Sequence, residues 1–147
     1  MTIFTMGFTK KDAETFFETL KANGVQLLID VRLNNKSQLA GFTKGTDLQY
    51  FLKSIGGIDY IHCDEYAPTK DLLSGYQKKE ISWDEYVPTY RGIIERRNAH
   101  VKFLDRFFNY EKVCLLCSEP TPEQCHRRLL AEMIAEVNPG KVEVVHL

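Results

Sequence analysis

Cysteine, proline and tryptophan are scarce in this 147-residue sequence, which holds four, five and one of them. Four cysteines (Cys63, Cys114, Cys117 and Cys125) are far too few for a disulfide scaffold. Long hydrophobic runs are missing as well. The longest purely apolar stretch, 113–117, is five residues, against the roughly 20 needed to cross a bilayer. Residues 1–7 lack a basic segment followed by an apolar one, so no secretory signal is read there. A charge excess of either sign is also absent. The 19 Lys and Arg are balanced by 20 Asp and Glu, which removes the basic footprint of a dedicated nucleic-acid binder. The expectation is a cytoplasmic protein with reduced thiols and no membrane partner. What is present is 44% hydrophobic residues, enough for one ordinary core at this length, so one domain over residues 1–147 is expected.

Five short apolar runs without clean alternation read as strands covered on both faces: Ile3–Met6, Gln26–Val31, Asp59–Cys63, Val113–Cys117 and Val142–His146. Between the first two, Ala13, Phe16, Phe17 and Leu20 form one helical face over Lys10–Asn23, with Thr9 as the expected cap. Leu48, Phe51, Leu52 and Ile55 repeat that spacing before the third strand and stop at Gly56-Gly57. A helical insert of about 67–109 then precedes the fourth strand. In it Ser82 and Glu85 form a capping box, Pro88 is expected to kink or shorten the helix, and Val101, Leu104, Phe107 and Phe108 mark a further helix. Thr121-Pro122-Glu123-Gln124 reads as the start of the last helix, with Thr121 as N-cap. Strands alternating with helices predict an α/β fold, a doubly wound and mostly parallel five-stranded sheet with helices on both faces.

Ligands of such sheets bind at the carboxyl ends of the strands. Asp30 and Arg32, His62, Cys117 with Glu119, and His146 stand at those ends, whereas the strand starts carry no comparable chemistry. The plainer reading of each is structural: Asp30 accepting backbone N–H bonds, Arg32 paired with a carboxylate, His62 and His146 satisfied within loops. Their joint occurrence at one edge favours a polar pocket. The loop after Arg32, with Ser37 among its polar residues, is long enough to act as a lid over it.

The densest chemistry lies between Cys117 and Arg127. The leading reading is a pocket for an anionic ligand, a nucleotide or other phosphate-bearing molecule, held by Arg32, Arg127 and a helix start. Asp30 would orient Arg32 or a ligand hydroxyl, with Glu119 or His126 as acid or base. A second reading is thiol chemistry, in which Cys117 or Cys125 attacks and His62, His126 or Glu119 handles protons. Here Leu28-Ile29-Asp30-Val31-Arg32 and the later cysteine resemble rhodanese-like sulfurtransferases, but seven residues separate Cys117 from Cys125, more than the short loop of those enzymes. A metal site from Cys117, Cys125, His126 and His62 or Cys63 is the least favoured reading, because Cys114 and Cys117 sit three apart in a strand and face opposite ways. No metal ligand is assigned, and no cofactor is implied. A binding or adaptor module is the alternative to an enzyme. Its partner would be a nucleic-acid phosphate held by Arg91, Arg96, Arg97, Lys102 and Arg106 beside Trp83, Tyr86 and Tyr90, though a solvated helix face with inward aromatics explains the same residues.

Taken in order, several segments resemble the domain-of-unknown-function family 488: Thr5-Met6-Gly7-Phe8-Thr9, Leu28-Ile29-Asp30-Val31-Arg32, Ser37 and Phe42, Gly57-Ile58-Asp59-Tyr60 with His62, Trp83 and Tyr86, Leu115-Leu116-Cys117-Ser118-Glu119 with Cys125-His126-Arg127, and Val145-His146-Leu147. Two departures stand out: Gly7-Phe8-Thr9 where members often have a Gly-His-Ser type of stretch, and Leu33-Asn34-Asn35 where a proline is common. The resemblance implies a single α/β domain and no particular reaction, substrate or cofactor.

Overall fold

The computed structural model describes residues 1–36 and 41–147. Five strands, β1 (Thr2–Gly7), β2 (Leu27–Asp30), β3 (Asp59–His62), β4 (Lys112–Cys117) and β5 (Glu143–His146), form one sheet in the order β3-β2-β4-β1-β5. Every neighbouring pair is parallel. The apolar runs that lacked alternation are the central strands, buried on both sides. Ile3, Ile29 and Leu115 face one cluster, while Phe4, Leu28 and Leu116 face the other.

Two helices, α1 (Ala13–Ala22) and α2 (Gly45–Gly56), cover the second of these faces and lead the chain from β1 to β2 to β3. Four more, α3 (Lys70–Gln77), α4 (Trp83–Arg97), α5 (Ala99–Arg106) and α6 (His126–Glu136), cover the first face and bring it back to β4 and on to β5. The helix that follows β4 therefore leaves on the side opposite the helices that follow β1 and β2. This reversal opens a crevice at the carboxyl end of β4, where ligands of such sheets bind. Among the described residues no helix is long and apolar enough to cross a membrane.

Four local expectations are corrected. Helix α1 starts at Ala13, because Lys10 adopts φ 65° and the Asp12 side chain caps the helix by accepting from Thr15 N. Thr9 instead donates its hydroxyl to the Ser118 carbonyl at 2.5 Å, tethering the loop after β4. Pro88 lies within α4 without ending it, since Tyr86, Tyr90, Ile93 and Ile94 on either side of it are buried. In α5 the inward residues are Ala99 and Phe103, while Phe108 beyond its end is 75% exposed. Finally, α6 begins at His126, five residues after Thr121, with Cys125 as an extended N-cap at φ −136° and ψ 138°. The intervening backbone bonds from Cys125 N to Pro122 O and from the Arg128 side chain to the Pro122 and Glu123 carbonyls hold a turn in place of a helical start.

Candidate active site at the carboxyl end of the sheet

Strand β2 ends in Asp30, which is fully buried and paired with Arg32 two residues on. The guanidinium donates to both carboxylate oxygens, at 2.8 and 2.7 Å, and to the Thr43 carbonyl at 2.6 Å. Tyr60 on β3 adds its hydroxyl to Asp30 Oδ2 at 2.7 Å, and Asn35 donates to that hydroxyl. His62 Nε2 meets the Arg32 carbonyl at 2.7 Å. These contacts make Asp30, Arg32 and His62 a network that fixes the exit of β2, with the charge of Arg32 matched by Asp30. Ser37 lies outside the described residues, as does the middle of the loop read as a lid.

Arg127, expected to hold an anion beside Arg32, is fully buried. Its Nη1 donates to the Glu119 carbonyl at 2.5 Å, and among the described residues its Nε and Nη2 have no hydrogen-bond partner. Gly7 at the end of β1 makes this approach possible, because a Cβ there would stand 1.5 Å from the Glu119 carbonyl oxygen. His146 belongs to the far edge, where its Nδ1 lies 2.6 Å from Thr5 Oγ1. The strand-end residues thus divide into three groups. The expectation of two arginines converging on one ligand finds no support in this arrangement.

The third group is Cys117, Cys125 and His126, whose donor atoms all lie within 4.8 Å of one another and are buried. Cys117 is the last residue of β4, Cys125 caps α6 and His126 is its first residue. With Cys125 extended at the displaced helix start, Cys125 and His126 both come close to Cys117. His126 Nδ1 is 3.6 Å from Cys117 Sγ, and Nε2 is 2.9 Å from the Val31 carbonyl oxygen. A carbonyl only accepts, so Nε2 carries the hydrogen, while Cys117 Sγ, 3.6 Å from Nδ1 and 3.9 Å from Nε2, lies beside the ring and out of line with the Nδ1 lone pair. The Cys125 thiol, donating to Cys117, holds that sulfur below the usual thiol range against the effect of burial, with the backbone N–H groups of Ser118 and Glu119 and the charge of Arg127 acting the same way. Cys125 is pushed well up by the same hydrogen bond and by burial. The other two thiols are ordinary buried cysteines: burial lifts Cys63 to about 11 and Cys114 to about 12.

Above this trio lies a cleft of about 880 Å³. Its floor is Cys117, Cys125 and His126, and its walls include Leu73, Tyr76 and Ile81 with Gln77, Gln124 and Glu119. Glu119, read from the sequence as a candidate acid or base, lines the cleft. Tyr76, Trp83, Tyr86 and Tyr90 form an overlapping aromatic series with centroids 5.0–6.0 Å apart, ending against the His126 ring at 5.5 Å. Trp83, Tyr86 and Tyr90 of this series were legible as inward-facing aromatics at helical spacing, whereas Tyr76, Tyr60, Thr43 and the Val31 carbonyl carry no sequence signal of their roles. Three of the five basic residues singled out in the insert have protein partners: Arg91 bonds Glu136, Arg97 bonds the Glu65 and Ala67 carbonyls, and Arg106 bonds the Glu65 carboxylate.

A family model described as "Domain of unknown function DUF488" matches residues 12–134. No curated protein and no solved structure matches, so the likeness to rhodanese-like sulfurtransferases gains nothing from these comparisons.

Proposed function

Since the chain belongs to the DUF488 family, whose description names no reaction, we propose its function from the cleft itself: it binds a small polar molecule at the carboxyl ends of the strands and acts on it through the electron-rich centre Cys117–Cys125–His126. The observation that carries this reading is the convergence of two thiol sulfurs and one imidazole, their donor atoms within 4.8 Å of one another, at the floor of the cleft. A cleft of this size suits a metabolite-scale ligand, with apolar walls for contact and a few polar groups for orientation. Its charged lining, Arg32 and Lys79 against Glu80, Glu85 and Glu119, offers no excess of positive charge. A neutral or zwitterionic ligand therefore fits better than a polyphosphate. The partners of Arg91, Arg97 and Arg106 likewise weigh against the insert as a nucleic-acid surface.

The test is alkylation of reduced, chelator-treated protein by iodoacetamide, with each site followed by peptide mapping. Cys117 is expected to react at least about tenfold faster than Cys63 and Cys114, since thiolate character and access set the rate. The fast phase should vanish in Cys117→Ser. A single slow rate at all four thiols would leave the trio as packing and the chain as a binding module.

A further inference from the structure

We propose that Cys117, Cys125 and His126 together bind one zinc ion, with the fourth coordination position opening into the cleft. This rests on the reading of the cleft given above and names the cofactor of that centre. Zinc takes sulfur at about 2.3 Å and imidazole nitrogen at about 2.0–2.1 Å in a tetrahedron, which sets an S···N separation of about 3.6 Å and an S···S separation of about 3.8 Å. Cys117 Sγ and His126 Nδ1 already stand 3.6 Å apart, and all three donors fall within 4.8 Å. Taking up the ion requires the Cys117 thiol to rotate from beside the His126 ring to a position facing the Nδ1 lone pair.

The surroundings fit as well. A metal-bound histidine usually gives its other ring N–H to a carboxylate or carbonyl, which fixes its tautomer and orientation. His126 Nε2 does this toward the Val31 carbonyl at 2.9 Å. The ligands stand at the end of a central strand and the first residues of a helix. The loop between them is tied by the Thr9 hydroxyl on the Ser118 carbonyl and by Arg127 on the Glu119 carbonyl. Two sulfurs and one imidazole are a soft donor set, suited to zinc and poorly suited to magnesium or calcium. Binding forms two Zn–S bonds and one Zn–N bond. The thiol protons leave to solvent, and the net charge of the ion and two thiolates is zero, which suits a buried position. Three protein ligands with one open position are the arrangement of catalytic zinc, in which the ion polarises a bound oxygen or activates water. The spacing rule that set zinc aside in the sequence considered Cys114 with Cys117. The same reading named Cys117, Cys125 and His126 as the alternative ligands, and Cys114 has no part in the group they form.

Two measurements test the proposal on the full chain. Protein purified without chelator under reducing conditions should contain about one zinc per chain by elemental analysis. Metal-free protein titrated with Co²⁺ should develop thiolate-to-cobalt charge transfer and tetrahedral d–d absorption that saturate at one equivalent. Cys125→Ser and His126→Gln should weaken Zn²⁺ binding at least about 100-fold, whereas Cys63→Ser should leave stoichiometry unchanged. The cobalt spectrum of the unmodified chain stands whether or not the variants fold. Substoichiometric zinc with no charge-transfer band, or a stoichiometric ion of another kind, overturns the zinc site. If Cys117 still alkylates fast in that case, the thiol centre survives without its ion, and if it does not, both readings fall together.

Discussion

Asp30 receives donors from three directions, the Arg32 guanidinium, the Arg32 backbone N–H and the Tyr60 hydroxyl. Removing Arg32 would leave a buried carboxylate without its counter-charge, and breaking such a pair costs about 3–5 kcal/mol. Arg32→Met is therefore expected to lower unfolding free energy by that amount in urea titrations. A loss below about 1 kcal/mol, the level of an exposed ion pair, would show that the guanidinium serves a ligand instead. At this scale the sequence offered the pairing of Arg32 with a carboxylate, which the structure shows as Asp30, and gave no sign of the longer-range contacts. Asp30, Arg32 and Cys117 were selected by position at strand ends, Cys125 and His126 by the dense chemistry between Cys117 and Arg127. Contacts such as His126 on Val31 depend on side-chain direction across elements far apart in the chain, and no local spacing encodes that.

Strands and helix faces were the most legible elements, because periodicity reports burial directly. Starts were less so. Thr121-Pro122 has the composition of an N-terminus, yet local bonds from Cys125 N and the Arg128 side chain to the Pro122 and Glu123 carbonyls hold a turn there, and α6 starts at His126 after an extended Cys125. Pro88 was expected to interrupt α4, but the buried residues around it hold the helix together. The proline still removes one backbone donor inside a helix and is itself exposed. Pro88→Ala should consequently raise stability by about 2 kcal/mol, the helical gain less the entropy lost from the unfolded chain. Unchanged or lower stability in thermal or urea unfolding would show that the ring makes a contact worth keeping. The helical insert, whose length signalled a departure from a simple strand–helix repeat, supplies the aromatic wall of the cleft through Tyr76 and Tyr86.

For the molecule as a whole, the alternation of strands and helices was sufficient to foresee a parallel sheet wound on both faces. The strand order was beyond it, because short parallel strands of similar apolar composition have no local preference for one neighbour. That order places β4 between β2 and β1, so these two earlier strands meet only through the fourth. A fragment ending at residue 111 should therefore lack a folded sheet. Its β1 amides should exchange with solvent within the dead time of a hydrogen-exchange experiment, and protected β1 amides would contradict the arrangement. The same order has a consequence during synthesis. At about 5–20 residues per second, strand β1 leaves the ribosome roughly five to twenty seconds before the strand it must pair with. Throughout that interval the nascent chain carries an apolar strand without its neighbour, a natural client for a holding chaperone. The centre of the sheet can form only as Cys117, the last residue of β4, emerges.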